Sequence, residues 1–315
     1  MTSREEQMGT EKISTLMLQM AIPSIIAQII NILYSIVDRM YIGHMEGIGM
    51  NALTGMGLTF PIITLISAFS AFVGTGGAPL SAIALGKGDR EHAEEILGSG
   101  VFLLGVFTVS LMAFFYLFNE PLLYLFGASK ATIGYATTYI SIYLMGTLFV
   151  QLALGLNPYI ISQGQSRIAM GAVLIGAIVN IVLDPILIFG FNLGIKGAGI
   201  ATVVSQALSA AWTVSFLIGK KSTLKIKWCK IRPNWKVIGS ICALGISPFV
   251  MRATESLISI VLNHGLQKYG GDLYVGSLTV MQSVMQLFSA PIAGFTQGVQ
   301  PIISYNYGAI KFDRV

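Results

Sequence analysis

The sequence predicts an all-α protein that crosses a membrane many times, as a polytopic helical bundle. Three observations predict it. Hydrophobic residues make up 54% of the chain and charged residues 10%, where a soluble domain carries about 25% charge; mean hydropathy is +0.74. The apolar residues come in long runs, each close to the ~20 residues that a spanning helix needs and too long for the ~10-residue strands of a membrane barrel. The basic residues are distributed unevenly among the segments between those runs.

The runs that can span are, in order, about 14–38, 52–74, 96–118, 135–160, 168–190, 197–219, 238–263 and 275–300. The polar start MTSREEQMGTEK lacks the charged, apolar, small order of a cleaved signal, so the first run is expected to stay in the membrane. With the N-terminus cytoplasmic, the inside segments hold Arg4, Lys12, Lys87, Arg90, Arg167, the lysines of 220–236 with Arg232, Lys311 and Arg314. The outside loops then hold only Lys130, Lys196 and Lys268. That asymmetry sets the topology. The net charge of +5 is therefore a matter of orientation in the bilayer, and no nucleic-acid partner is expected.

The stretch GKKSTLKIKWCKIRPNWK, 219–236, divides the chain into a six-helix lobe over 1–219, a basic cytoplasmic linker over 220–236 and two further helices over 237–315. The linker could bind anionic lipid, although the charge rule alone accounts for it. Cys229 and Cys242 form no CxxC and no disulfide framework. His44, His92 and His264 stand too far apart in sequence to suggest a metal cluster. No cofactor is expected.

The chain also repeats itself. GGAPLSAIALGKGDR (76–90) aligns with GVQPIISYNYGAIKFDR (298–314), pairing Pro79 with Pro301, Gly86 with Gly308 and Asp89–Arg90 with Asp313–Arg314. Upstream, AIPS (21–24) aligns with GISP (245–248). Six helices is an even number, so both units enter from the same side as parallel repeats. The second unit ends after two helices, and about four more are expected to complete it.

Polar residues within the runs fall on helical faces. The first run carries Ser24, Gln28, Asn31, Ser35 and Asp38, at steps of 4, 3, 4 and 3. Lipid cannot satisfy such a face, so it points at protein or at a wet cavity. The fourth run carries Tyr135, Tyr139, Tyr143, Thr147 and Gln151; the sixth Thr202, Gln206, Ser209 and Thr213; the eighth Thr279, Gln282, Gln286 and Ser289. The stripes of the sixth and eighth read first as hydrogen-bonding glue between helices. The stripe of the first reads as a cavity wall, because it ends in a carboxylate.

Three carboxylates lie inside runs: Asp38, Asp184 and Glu255. An ionised aspartate at a helix centre costs roughly 2.5–3.5 kcal/mol even on lenient insertion scales, so it must be protonated, paired or cation-bound. Asn180 precedes Asp184 by four residues and shares its face. Pro185 follows and removes one helical N–H. No Lys or Arg in that run or the next neutralises Asp184. Its partner is then a proton or a small hard cation; Na⁺ suits carboxylate, amide and hydroxyl oxygens together, by analogy with other hard cations, and two buried carboxyls also suit a shared proton. For Asp38 the alternative is a pair with Arg39 next to it. Glu255 follows Arg252 by three residues and could be its structural partner or a second coupling group.

These residues carry a family resemblance. NIVLDPILIF with GIKGAGIATVVSQ (180–189, 194–206), YSIVDRMYIGH (34–44) and QPIISYNYGA (300–309) resemble the multidrug and toxic compound extrusion (MATE) transporters, the DinF- and MepA-like branch most of all. The resemblance covers nearly all of the chain. It implies two six-helix bundles and export of cationic drugs in exchange for Na⁺ or H⁺ at a bacterial cell membrane, by a protein that is not an enzyme and works as a monomer. It implies an ion site at Asp38, Asn180, Asp184 and Thr202, and it places Asn157 in a polar cavity of the first lobe. Glu255 is one residue off the register of a coupling glutamate in a NorM-like relative. The expected substrate cavity comprises Gln28, Asn31, Ser35, Tyr139, Tyr143, Asn157, Met281 and Gln282, with Met145 and Met285 as further flexible walls for an amphipathic cation. A lipid-linked oligosaccharide flippase would need basic cavity residues for pyrophosphate, and only Arg39 and Arg252 offer themselves. An intramembrane aspartyl protease would pair two aspartates, but the contexts here are SIVD and IVLD rather than GxGD.

Overall fold

The computed structural model describes residues 4–315, with side chains from Gln7 onward. Residues 1–3 of the polar start, and the side chain of Arg4 counted above as cytoplasmic, lie outside what it describes. Among the described residues there is no strand. A short helix α1 (Arg4–Thr10) precedes α2 (Ile13–Gly43), α3 (Gly49–Gly86), α4 (Arg90–Leu125), α5 (Ile133–Met145), α6 (Thr147–Ile161), α7 (Ser166–Pro185), α8 (Ile195–Ile218) and α9 (Trp235–Gly308). Several helices overrun the apolar runs, α3 for example reaching from Gly49 to Gly86.

Three runs behave differently from expectation. The fourth, expected as one straight helix, is broken into α5 and α6, which meet at 61°. The break falls at Gly146, where an added Cβ would lie 2.6 Å from the Val203 side chain on α8. The seventh and eighth runs join with almost no loop. α9 continues as helix on both sides of Gly271, whose φ of 69° and ψ of −168° reverse the chain. Positive φ is open to glycine at little cost. α9 is thus two arms, 235–270 and 272–308. A third local feature follows Pro185: α7 passes into a π-helical turn, Ile186–Gly190, as the missing proline N–H loosens the ladder.

Close backbone contacts set the packing, as in other membrane helix pairs where small residues occupy the crossings. The first arm of α9 lies on α3: a Cβ on Gly76 would come within 2.5 Å of the Ile241 carbonyl oxygen, and one on Gly245 within 2.2 Å of the Phe72 carbonyl oxygen. The second arm lies on α2, with Gly298 directly against Ala21, and on α3, where Gly86 faces Tyr305 and Gly308 faces Ile83. The contacts mirror the repeat. Gly76 aligns with Gly298 and Ala21 with Gly245, so the α3–first-arm crossing and the α2–second-arm crossing are equivalent. Gly86 and Gly308 meet each other's helix reciprocally. The internal repeat is expressed as a pseudo-two-fold contact.

The 219–236 segment is folded rather than a loose tether. Leu224 is fully buried in a cluster with Leu97, Tyr159 and Ile241. Gln163, at the end of α6, accepts from Ser222 Oγ (2.9 Å), Thr223 N (2.8 Å) and Leu224 N (3.0 Å) and donates to the Tyr159 carbonyl (3.0 Å). Gln163→Ala strands two backbone donors, at about 1–3 kcal/mol each where buried. Trypsin is then expected to cut within 220–230 at least about tenfold faster; an unchanged rate would mean that Gln163 does not hold the loop.

Candidate cation site and polar cavity

Near the C-terminal end of α2 its polar face meets α7, with α5 and α8 alongside. Asp38 and Asp184 are buried and converge, their carboxyl groups within hydrogen-bonding reach of each other. Asn180 is fully buried and donates from Nδ2 to Asp184 Oδ1 at 3.3 Å. Three buried oxygens remain without a hydrogen-bond donor: Asp38 Oδ1, Asn180 Oδ1 and Asp184 Oδ2. Two bare carboxylates cannot rest against each other away from water, and a proton or a cation between them removes the conflict. The donor set is oxygen throughout, which suits a hard ion. Thr202 spends its hydroxyl proton on the Ala198 carbonyl (3.0 Å), and its oxygen stays within reach of the Tyr139 hydroxyl.

Asp38 and Thr202 face a path of adjoining cavities, whereas Asn180 and Asp184 line none of them. A cavity of about 180 Å³ is lined by Asn31, Ser35, Asp38, Tyr139, Tyr143, Thr202 and Gln286. A second, of about 90 Å³, shares Asn31, Tyr34 and Gln206 with it and adds Ser24, Gln28, Asn157 and Ser209. A third, of about 520 Å³, shares Gln28 and Gln297 with the second. The stripe of α2 lines this path along its length. Gln28 Nε2 donates to Gln297 Oε1 at 2.8 Å, bridging the first-lobe helices to α9. Tyr139 and Tyr143 stack 6.5 Å apart at the upper end. Asn157 faces the second cavity while its amide donates to the Ala169 carbonyl at 3.0 Å.

Other expected residues lie elsewhere. Met281 is exposed and lines none of these cavities. It follows the inward-facing Thr279 by two residues, about 200° around a helix, and so faces away. Met285 and Met145 are likewise exposed. Gln282 donates to Ser259 Oγ at 3.2 Å and ties the two arms of α9 together instead of meeting a substrate. Arg252 and Glu255 form no ion pair: Arg252 borders the 520 Å³ cavity, and Glu255 is exposed. The stripe of the fourth run is divided by the bend at Gly146, with Gln151 bonded to Ser70 (2.7 Å) and the Ile66 carbonyl (3.2 Å) on α3.

Two residues of the site escape sequence reasoning. Tyr34 lies beside Asp38, and its hydroxyl accepts from Gln206 Nε2 at 3.4 Å. The signal is present in the sequence, since Tyr34 precedes Asp38 by one helical turn. Gln206, read as glue, proves to line two cavities. Arg39 does not partner Asp38. Its guanidinium crosses to α9, donating to the Thr279 carbonyl (3.1 Å) and to Ser283 Oγ, and sits 5.6 Å from the Phe60 ring centre. Hydrogen bonds from a charged donor contribute about 1.5–3 kcal/mol each. Arg39→Gln is accordingly expected to raise amide hydrogen exchange over 275–285 by at least about tenfold. Unchanged protection would show that the crossing does not restrain α9.

Known proteins share this fold. A family model described as MatE matches residues 23–186 and 249–315. The multidrug export protein MepA of Staphylococcus saprophyticus is 26% identical over 298 residues, covering 94% of this chain and 65% of its own length; MepA of Staphylococcus aureus is 25% identical over the same extent. Among solved structures, the MATE multidrug transporter DinF-BH superposes with a TM-score of 0.93 at 34% identity, over 100% of this chain and 70% of that one. A MATE structure in a straight conformation shares the fold, with a TM-score of 0.87 at 23% identity, over 100% of this chain and 70% of that one. The architecture is that of a multi-pass inner-membrane helical bundle. The chain belongs to the MATE family, on its DinF- and MepA-like side. It spans about 65% of the length of the curated relatives it matches.

Proposed function

We propose that this chain serves a cation-coupled antiporter that exports amphipathic, cationic small molecules, acting as a monomer. The observation that carries the reading is the set of donorless buried oxygens on Asp38, Asn180 and Asp184, with Asp38 bordering the first of the adjoining polar cavities. Na⁺ or H⁺ binds there, with Thr202 beside the carboxyls. The organic cation occupies the path below, against Gln28, Asn31, Ser35, Asn157 and the paired rings of Tyr139 and Tyr143. The two ligands favour opposite conformations, and the coupling can be no larger than the ion's differential affinity for them. The relatives are an export protein and a multidrug transporter, which supports transport rather than bond-breaking chemistry.

Two alternatives lose support from particular residues. A pyrophosphate-binding flippase needs several cations, but Arg39 is committed to α9 and only Arg252 borders the large cavity. The aspartates do meet, yet Asp184 is bound by Asn180, an arrangement that positions the carboxyl for an ion rather than for activating water. The test is flux in proteoliposomes. An imposed Na⁺ or H⁺ gradient should drive a fluorescent organic cation the opposite way, and the dye should drive the ion in return. If neither gradient moves dye above leak, the proposal fails.

A further inference from the structure

The cytoplasmic ends of three spans meet at one groove. α4 starts at Arg90, α8 ends at Ile218 and α9 starts at Trp235. The chain between α8 and α9 is fixed there by buried Leu224, by Gln163, and by the bond from Ile226 N to the Leu217 carbonyl at 3.1 Å. Its backbone therefore holds Lys220, Lys221, Lys225, Lys227 and Lys230 around an open groove of about 810 Å³.

The charges in this groove do not balance. Glu94, itself buried, takes both Lys227 (2.7 Å) and Lys230 (3.2 Å). Glu91 stands 3.8 Å from Lys230 and is otherwise solvated. The hydrogen bond and charge of Glu94 hold Lys227 above the ordinary lysine value, so it stays cationic. Lys220, Lys221 and Lys225 have no carboxylate partner among the described residues. Self-repulsion on a rigid loop is unfavourable unless an anion enters.

The exposed indoles beside the groove select the anion. Trp228 is 84% exposed and Trp235 75% exposed. One follows Lys227 directly, and the other opens a span. Indole rings at span ends rest at headgroup level, apolar body toward the chains. A free phosphate would satisfy the lysines but leave both rings in water, whereas a lipid phosphate brings acyl chains to cover them.

We infer that the groove formed by Lys220, Lys221 and Lys225 beside the Glu94-pinned lysines binds the phosphate headgroup of an anionic phospholipid. The site is separate from the cavity path and does not depend on the export reading. The lipid would fasten the loop that joins the first six spans to α9, at a point where any relative movement of the two must be accommodated.

The test uses the full chain with Trp212→Phe and Trp235→Phe, leaving Trp228 as reporter, in bilayers containing lipids brominated high on the acyl chain. Brominated phosphatidylglycerol should quench Trp228 with a relative association constant about tenfold above brominated phosphatidylcholine. Lys220→Gln, Lys221→Gln and Lys225→Gln together should bring the two lipids to parity. The corresponding Lys→Arg set keeps the charge, should keep the preference, and controls for folding. Equal quenching in the unsubstituted loop, or a preference that survives loss of the three lysines, would overturn the inference. Inorganic phosphate should reduce the preference no more than chloride at matched ionic strength; if phosphate alone abolishes it, the groove is a free-phosphate site and the lipid assignment is wrong.

Discussion

Asp184→Asn is expected to abolish ion-driven efflux, by on the order of 100-fold or more, while leaving the protein as stable or more so. The two halves of this result come from one geometry. Asp38 Oδ1 and Asp184 Oδ2 are buried without donors, and the two carboxyls face each other. An amide at 184 has the same shape and brings N–H donors toward Asp38, so the packing is retained and a repulsion is removed. The same change halves the negative charge available to a cation. A loss of about 2.7 kcal/mol in differential ion affinity is a factor of 100 in coupling. Efflux under an imposed ion gradient and thermal unfolding, measured on the same preparation, separate the roles. Efflux at the unsubstituted rate would remove Asp184 from coupling. Lost efflux together with lowered stability would make Asp184 a structural residue.

The second large effect is structural. Gly245→Leu is expected to prevent assembly of α9 on α3, giving protein that aggregates or unfolds well below the unsubstituted chain. Its Cβ would lie 2.2 Å from the Phe72 carbonyl oxygen, and Gly76 makes the reciprocal contact with the Ile241 carbonyl. Both obstacles are backbone within helices, so neither can yield by changing a rotamer. Overpacking in a core that can adjust costs about 1–3 kcal/mol, and here the helices must part instead. Gly239→Leu, on the same arm with nothing within 4 Å of the added Cβ, is the control and should be tolerated. Size-exclusion profiles and melting curves of the pair decide the matter; equal behaviour would show that the crossing is not close packed.

Much of the site is legible in the sequence because its residues obey helical periodicity. The steps from Ser24 to Asp38 select one face of α2, and that face does line the cavities. Asn180 and Asp184 share a face for the same reason. Periodicity states which side of a helix is polar but not what stands opposite. Hence Arg39, adjacent to Asp38 in sequence, turns to α9 instead. Met281 has the chemistry of a drug-binding wall, yet its position 200° from the packed face turns it outward. Gln206 and Gln282 look alike in sequence; one lines the cavity and the other braces two arms of one helix pair.

The residues alone determine that this chain is a helical membrane protein, carrying an internal repeat and acidic groups within its apolar runs. Those properties follow from transfer free energies and from charge placement, which each segment expresses by itself. Tertiary structure decides that Asp38 and Asp184 meet, that Tyr34 and Gln206 close the wall beside them, that the fourth span bends at Gly146, and that α9 reverses at Gly271. Except for the reversal, which the positive φ of Gly271 permits locally, these depend on what stands opposite each helix, and that is set by segments far apart in the chain.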